Sequence, residues 1–257
     1  MHPHIAELVN RLIYNNRLTT NACAANRPNA KLFRDWARHN GYAGDRQALF
    51  CQIEGEPKLY QEVDGFSKMN DLYLHAVSEI AQDMVKFGIS QSSIAIITFY
   101  SAQRSLYKRV LKAKQLEGIR LLSVDGAQGD EAPFVILDPV TPGAPDYSLG
   151  FFKDLERLCV ALSRAQDGLF TVGNTTMADE DYPTLVAKAW SSLIQHLKDV
   201  NGCISHDFGR GGPTRRLLKI PGTAYKAVPT RSEYVDWWMG RAVGDKRKDG
   251  AGLGGRW

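Results

Sequence analysis

The stretch Ser93-Ile-Ala-Ile-Ile-Thr-Phe99 is an almost unbroken apolar run of strand length. Such a run is typical of a strand buried on both faces of a sheet, because no alternate position is left for solvent. Further short apolar runs follow it and alternate with amphipathic helical patterns. They predict a helix over 101–115, strands over 119–124 and 134–137, a helix over 154–165 and a strand over 168–172. This alternation predicts an α/β fold with a parallel sheet flanked by helices.

The same patterns extend towards both ends of the chain. They predict helices over 3–14, 32–38, 70–87 and 183–200, and a strand over 48–53. Residues 20–67 are otherwise an irregular insertion, with a surface loop over 54–65. After Asn201 the periodicity ends, and Gly-rich and charged segments predict a flexible tail. We therefore divide the chain into a lobe of residues 1–200 and a basic tail of residues 201–257.

The composition is that of a globular protein, with 44% hydrophobic and 23% charged residues in 257. No apolar run approaches the ~20 residues needed to span a bilayer. The first ten residues lack the basic region and cleavage site of a signal peptide. Four cysteines without a CxxC pair argue against a zinc cluster or a disulfide framework. These features exclude disordered, fibrous and membrane-spanning classes, and they predict an intracellular protein with no metal site and no membrane partner.

The positive charge is concentrated in the tail. Residues 207–257 carry 11 Lys and Arg against 5 Asp and Glu, a net charge of +6, whereas residues 1–206 carry 21 against 23, a net charge of −2. A polybasic segment of this kind binds nucleic acid or another acidic surface. A merely solvated tail is the alternative that composition alone favours.

Ligands of parallel α/β sheets bind at the carboxyl ends of strands, so the loops after the apolar runs are the first candidates for chemistry. The segment Ser123–Glu131 (SVDGAQGDE) concentrates polar groups directly after a predicted strand. Gly129 stands in this segment at a point where the backbone must come close to another group. Gln128 and Glu131 offer groups suited to sugar hydroxyls or a phosphate-bound water, and a polar turn is the alternative. Arg164 ends an otherwise apolar helix. It either forks onto phosphate oxygens or serves as a structural cation at the helix end.

Four sequence blocks follow one another in a characteristic order over roughly residues 1–175. They are Met1-His2-Pro3, Ile96–Gln103 (IITFYSAQ), Ser123–Glu131, and Gly150–Asn174 with its GFFKD, RLCVALSRA and GN segments. Together the blocks resemble the C-terminal RecA-like lobe of superfamily 1 helicases, and most closely the up-frameshift group. The resemblance implies a RecA-like sheet and an ATP-binding cleft between two such lobes.

The resemblance also assigns roles to individual residues. It implies that Gly129, Gln128 and Glu131 face the nucleotide, with Glu131 towards the ribose. It implies that Arg164 is an arginine finger, which neutralises charge on the transferred phosphoryl group.

A second group of residues is implied to face nucleic acid. Thr98, Gln103 and Ser123 would lie towards a single strand of RNA or DNA that crosses both lobes. The partners expected from the resemblance are therefore this strand and the first RecA-like lobe, in the cytoplasm or the nucleus.

The chain also departs from the family. It contains no GxxxxGK[ST] phosphate-binding loop and begins at the Met of Met-His-Pro, so we expect ATP and Mg²⁺ to bind only when the first lobe is present. At four family-typical positions it carries other residues, namely Asp130, Pro133, Cys159 and Gln166.

Two functions from different classes follow from these observations. The first is the second motor lobe of an ATP-dependent helicase, inactive in hydrolysis as the isolated chain. The alternative is a degenerate helicase-like module that binds nucleic acid or protein without turnover, and a folded remnant without function is a third reading.

Overall fold

The computed structural model describes residues 1–42, 45–53, 59–140, 154–175, 185–206 and 225–227. Its main feature is a six-stranded sheet in which every neighbouring pair is parallel. The strands are β1 (Ala48–Ile53), β4 (Ile94–Thr98), β5 (Arg120–Ser123), β6 (Ala132–Asp138), β7 (Ala165–Gly173) and β8 (Cys203–His206), in the order β5-β4-β6-β7-β1-β8. This confirms the α/β class and the parallel sheet.

Helices cover both faces of this sheet. They are α1 (Pro3–Leu12), α2 (Pro28–His39), α3 (Asp71–Lys86), α4 (Ser101–Ala113), α5 (Leu155–Ser163) and α6 (Leu185–Asp199). One apolar cluster joins α2, α3 and α4 to one face, and a second joins α1, α5 and α6 to the other. Ile94 and Ile96 belong to the first cluster, whereas Ala95 and Ile97 belong to the second. The apolar run of β4 is therefore buried on both faces, as its sequence predicts.

Side-chain caps begin several of the helices. The Asn70 side chain accepts a hydrogen bond from the Tyr73 amide at the start of α3, and Asp154 does the same for the amides of Glu156 and Arg157 in α5. Such caps satisfy amides that have no partner within the helix. Pro3 occupies the first turn of α1, where its missing N–H costs nothing.

A second, antiparallel sheet joins a strand from the region assigned to irregular structure to a strand directly before α3 and to a strand of the tail. It has three strands in the order β3-β2-β9, namely β2 (Leu59–Glu62), β3 (Lys68–Asn70) and β9 (Tyr225–Ala227). The surface loop predicted over 54–65 is therefore wrong for residues 59–62, where Leu59 is buried.

Two further differences concern the region around residue 200. Cys203–His206 is a strand that pairs with β1, so regular structure continues beyond the predicted end of the pattern. The first residues of the helix predicted over 183–200, Gly150–Phe152 of the fourth block and most of the tail lie outside the described residues. Among the residues that the structure describes, no helix has the length and apolar content required to cross a membrane.

Candidate functional site

The candidate residues divide between opposite edges of the parallel sheet. Thr98 and Ser123 end β4 and β5, so they lie at the carboxyl edge. Glu131 and Arg164 directly precede β6 and β7, so they lie at the amino edge. The general preference of ligands for the carboxyl edge therefore does not describe Glu131 and Arg164, which lie at the opposite edge. β5 and β6 are both parallel to β4. Residues 124–131 therefore run from the carboxyl edge, where β5 ends, to the amino edge, where β6 begins.

Arg164 is held at the amino edge by neutral oxygen atoms. Its Nε donates to the carbonyl oxygen of Val160 (2.9 Å) and its Nη2 to the hydroxyl of Ser163 (2.8 Å). Its Nη1 points to the carbonyl oxygens of Asp130 (3.3 Å) and Ala127 (3.5 Å). Within the described residues no carboxylate pairs with this half-buried guanidinium. Its positive charge is therefore met by dipoles alone, including the carboxyl end of α5.

Backbone contacts bring the nucleotide candidates and Arg164 together. The Ala132 amide donates to the carbonyl oxygen of Arg164 (3.0 Å), which fixes Glu131 next to Arg164 along the edge. The Glu131 side chain is exposed and accepts a hydrogen bond from Nε2 of Gln166 (2.7 Å). Gln128 is also exposed. The edge therefore combines the Arg164 cation with an exposed carboxylate and an exposed amide, and a second cation, Arg120, donates to the carbonyl oxygen of Glu131 (2.7 Å).

Gly129 has a positive φ of 87°, and an added Cβ would meet nothing within 4 Å. The sequence predicts a close approach of the backbone to another group at this glycine. Among the described residues no protein atom comes that close, and the left-handed backbone conformation accounts for glycine here.

The first sequence block, Met1-His2-Pro3, lies at the same amino edge of the sheet. The His2 amide donates to the carbonyl oxygen of Gln166 (2.6 Å), and Nδ1 of His2 accepts from the His4 amide (3.1 Å) at the start of α1. Burial lowers the pKa of His2 to about 4, so the imidazole is neutral and can accept this bond. Met-His-Pro thus begins a helix and ties it to β7.

A neighbouring arginine is engaged differently. Arg157 of α5 forms a two-point ion pair with Asp125, from Nε to Oδ1 (3.0 Å) and from Nη2 to Oδ2 (3.4 Å). Arg157 lies in α5 and Arg164 is the residue that directly follows it, but of the two only Arg157 has a carboxylate partner among the described residues.

At the carboxyl edge, two of the three residues assigned to nucleic acid are buried. Gln103 is 0% exposed, and its amide group binds the backbone of Asn70 (3.0 and 3.1 Å) and Oδ2 of Asp138 (2.7 Å). Thr98 is also buried, whereas Ser123 is half-buried and its hydroxyl accepts from the Gly126 amide (3.2 Å). The burial argues against direct contact of Gln103 or Thr98 with a strand, and a role for them in binding has to act through neighbouring groups.

Asp138 is the centre of this buried network, and the sequence analysis missed it. Its carboxylate accepts from the Tyr107 hydroxyl (2.6 Å), from Gln103 and from the Val140 amide (2.7 Å). Burial raises the pKa of Asp138 to about 6, although these donors oppose the shift. Val140, which follows, has a φ of 65°, a rare conformation for a β-branched residue. A polar residue directly after the run FVIL was the one signal in the sequence for this network.

In the described part of the chain, no group of three or more His, Cys, Asp or Glu side chains lies close enough together to hold a metal ion.

Comparison with known proteins identifies relatives of the chain. A protein family described as an AAA domain matches residues 1–176. Regulator of nonsense transcripts 1 of Caenorhabditis elegans is 28% identical over 205 residues, which are 77% of this chain and 18% of that protein. Its Drosophila melanogaster homolog is 30% identical over 207 residues, 77% of this chain and 16% of that protein.

A third relative is named as a helicase. The helicase required for RNAi-mediated heterochromatin assembly 1 of Schizosaccharomyces pombe is 34% identical over 127 residues, 48% of this chain and 13% of that protein. The chain therefore spans less than a fifth of the length of these three relatives. With the family matching well over half of its residues, the chain belongs to the AAA-domain family of superfamily 1 helicases, in the group of the regulators of nonsense transcripts.

Proposed function

We propose that this chain supplies the second motor lobe of an ATP-dependent RNA or DNA helicase, with Arg164 as its arginine finger. The observation that carries the proposal is the state of Arg164. Its guanidinium is oriented by three backbone carbonyl oxygens and a hydroxyl, and no described carboxylate neutralises it. A cation that is oriented in this way and has no described carboxylate partner keeps its positive charge available for phosphate oxygens.

The chemistry of phosphoryl transfer explains why such a group is needed. Negative charge on the transferred phosphoryl group has to be neutralised, and an arginine finger contributes ~10³–10⁵ in rate in related enzymes. Glu131 is placed beside Arg164 and is exposed, so its carboxylate can accept hydrogen bonds from the ribose hydroxyls. Gln128 supplies a further exposed amide.

The residues of this chain fit only one side of a nucleotide site. They provide Arg164 and Glu131, but the 257 residues contain no phosphate-binding loop. ATP and Mg²⁺ would therefore be held mainly by a first RecA-like lobe, which is the partner that this proposal requires.

The nucleic-acid strand is proposed to cross the opposite, carboxyl edge. Ser123 is the half-buried member of the group there, and the buried Gln103–Asp138 network joins α4 to the end of β6 at the same edge. This arrangement separates nucleotide and strand, so that movement between two lobes can be coupled to both.

One observation favours the alternative, a binding module without turnover. The contacts from Arg164 to the carbonyl oxygens of Ala127 and Asp130 also hold the 124–131 segment in place. In a degenerate module this would be the whole role of Arg164.

Turnover distinguishes the two functions. The chain is fused to the carboxyl terminus of the phosphate-binding lobe of a superfamily 1 helicase. RNA-stimulated ATP hydrolysis is then measured for the joined protein and for the isolated chain. We expect hydrolysis only in the joined protein. Arg164→Ala should lower kcat by ~10³-fold or more with nucleotide affinity nearly unchanged, because an arginine finger acts on the transition state.

Arg157→Ala is the matched control, since it removes a cation of α5 that already has a carboxylate partner. It should retain most of the activity. An unchanged kcat in Arg164→Ala, with thermal unfolding like that of the parent protein, would leave Arg164 as a structural cation only.

A further inference from the structure

The outward face of α4 is a stripe of cations. The buried side of this helix packs against α3 and the sheet through residues such as Leu106 and Val110. The exposed side carries Arg104, Lys108 and Lys112, four residues apart. No acidic residue occurs between positions 101 and 116. Side chains at this spacing lie on one line about 6 Å apart along the helix.

These three cations, the basic stripe, are not neutralised within the described part of the protein. Lys114, the next cation of the same segment, pairs with Glu79 (2.7 Å) and also binds Gln82 (2.9 Å). Arg104, Lys108 and Lys112 form no ion pair with any described residue. The stripe is a local positive surface on a lobe whose net charge is −2 over residues 1–206.

An exposed aromatic ring lies at the amino-terminal end of the stripe. Phe66, in the turn between β2 and β3, is 83% exposed. The next residue fixes this turn to α4, because Oγ of Ser67 accepts from the Ala102 amide (2.8 Å) and lies 3.0 Å from Oγ of Ser101. Phe66 therefore sits next to the first turn of the helix whose following turns carry the stripe.

We propose that Phe66 and the basic stripe form an accessory surface for a single strand of nucleic acid, which begins beside the carboxyl edge and follows the outer face of α4 away from it. The evenly spaced cations match a linear polyanion, and the phosphate backbone supplies most of the affinity in such complexes. Phe66 offers a flat apolar face on which a base stacks, a contact that works with any base. An acidic peptide would use the cations but has no base to place on the ring. Asp64 in the same turn disfavours phosphate there, which assigns stacking to the turn and phosphate contact to the helix.

The surface goes beyond the proposed motor function and does not depend on ATP turnover. Its test is therefore equilibrium binding, whereas the motor function is tested by hydrolysis, and either can fail alone. The full 257-residue chain is titrated with fluorescent oligouridine and oligothymidine at several salt concentrations. The first variant combines Arg104→Gln, Lys108→Gln and Lys112→Gln.

For this triple variant, the slope of log K against log salt should become shallower by about 2, at roughly 0.7 for each lost phosphate contact. Affinity at about 50 mM salt should fall at least tenfold. A control of equal net charge combines Lys31→Gln, Lys86→Gln and Lys198→Gln, exposed lysines of three other helices. It should keep the parental slope. Equal slopes in the two triple variants would overturn the proposal, because net charge alone would then explain the binding.

A second pair of variants tests the stacking. Phe66→Ala should weaken binding about fivefold or more without changing the salt slope, and Phe66→Tyr should restore it. Val63→Ala, at a 46% exposed apolar residue of the same hairpin, should have no effect. Unchanged affinity in Phe66→Ala, or displacement of the strand by polyglutamate of equal charge as readily as by unlabelled RNA, would overturn the proposal.

Discussion

Asp138 is a carboxylate at a position where water does not reach it. Its three donors hold it, but burial still raises its pKa from 3.8 to about 6. Between about pH 4 and pH 6 the folded protein therefore binds more protons at this group than the unfolded chain does. The free energy of unfolding should fall as pH rises through this window, by up to about 1.4 kcal/mol per pH unit, and the contribution of Asp138 should be constant above it.

Replacing Asp138 by Asn should remove this part of the pH dependence. Urea unfolding at several pH values between 4 and 7 measures it as the difference in slope between parent and variant. Asp130→Asn, which makes the same change at an exposed carboxylate, is the matched control. Identical slopes in the parent and in Asp138→Asn would show that Asp138 titrates alike in the folded and unfolded chain.

Asp138 also shows the limit of prediction from single sequence positions. Arg164 and Glu131 were found because they belong to blocks that are contiguous in sequence. Asp138 receives its hydrogen bonds from Tyr107 and Gln103, which are 31 and 35 positions away, and no local pattern records such a pairing. Burial of Gln103 follows from the same tertiary contacts.

At the scale of elements, the contact of α2 with β7 requires a residue without a side chain, Gly168, in β7. A Cβ added at Gly168 of β7 would overlap the ring of Phe33 in α2. That ring is buried and stacks on Phe134, with a 5.9 Å distance between ring centroids, so it has little room to move. Gly168→Ala should therefore lower the free energy of unfolding by about 1–3 kcal/mol.

Urea unfolding of two variants separates overpacking from other effects of the alanine. Adding Phe33→Leu to Gly168→Ala should recover part of the lost stability, although Phe33→Leu alone is destabilising. Strictly additive losses in the double variant would mean that the two side chains do not compete for space.

Strands and helices with strong periodicity were predicted well, and the short ones were not. The predicted strand over 48–53 coincides with β1. Its place between β7 and β8 was not predictable, because neighbours in a parallel sheet are joined by long crossovers. β2 has four residues, and β9 pairs with it from more than 150 positions away, so neither carries a period long enough to recognise.

Across the whole molecule, positive charge that can bind anions occurs in three different parts of the chain. Arg164 is at the amino edge, the basic stripe is on the outer face of α4, and the tail carries the net +6 of residues 207–257. The family resemblance predicted the first, and the charge count predicted the third. The stripe was not predicted, because the three cations become a surface only once α4 is packed and Lys114 is paired.

Because the stripe and the tail are different segments of the sequence, their contributions to binding can be measured separately within one chain. Lys246, Arg247 and Lys248 form the densest cationic cluster of the tail, and changing all three to Gln removes the same charge as the triple variant of the stripe. If one strand contacts both, each triple variant should reduce the salt slope by about 2 and the combined variant by about 4. Fluorescence anisotropy with the same oligonucleotides over the same salt series gives these slopes. A combined loss no larger than that of one triple variant would show that the two cationic groups compete for the same phosphates instead of acting along one strand, and the tail would then be an alternative to the stripe.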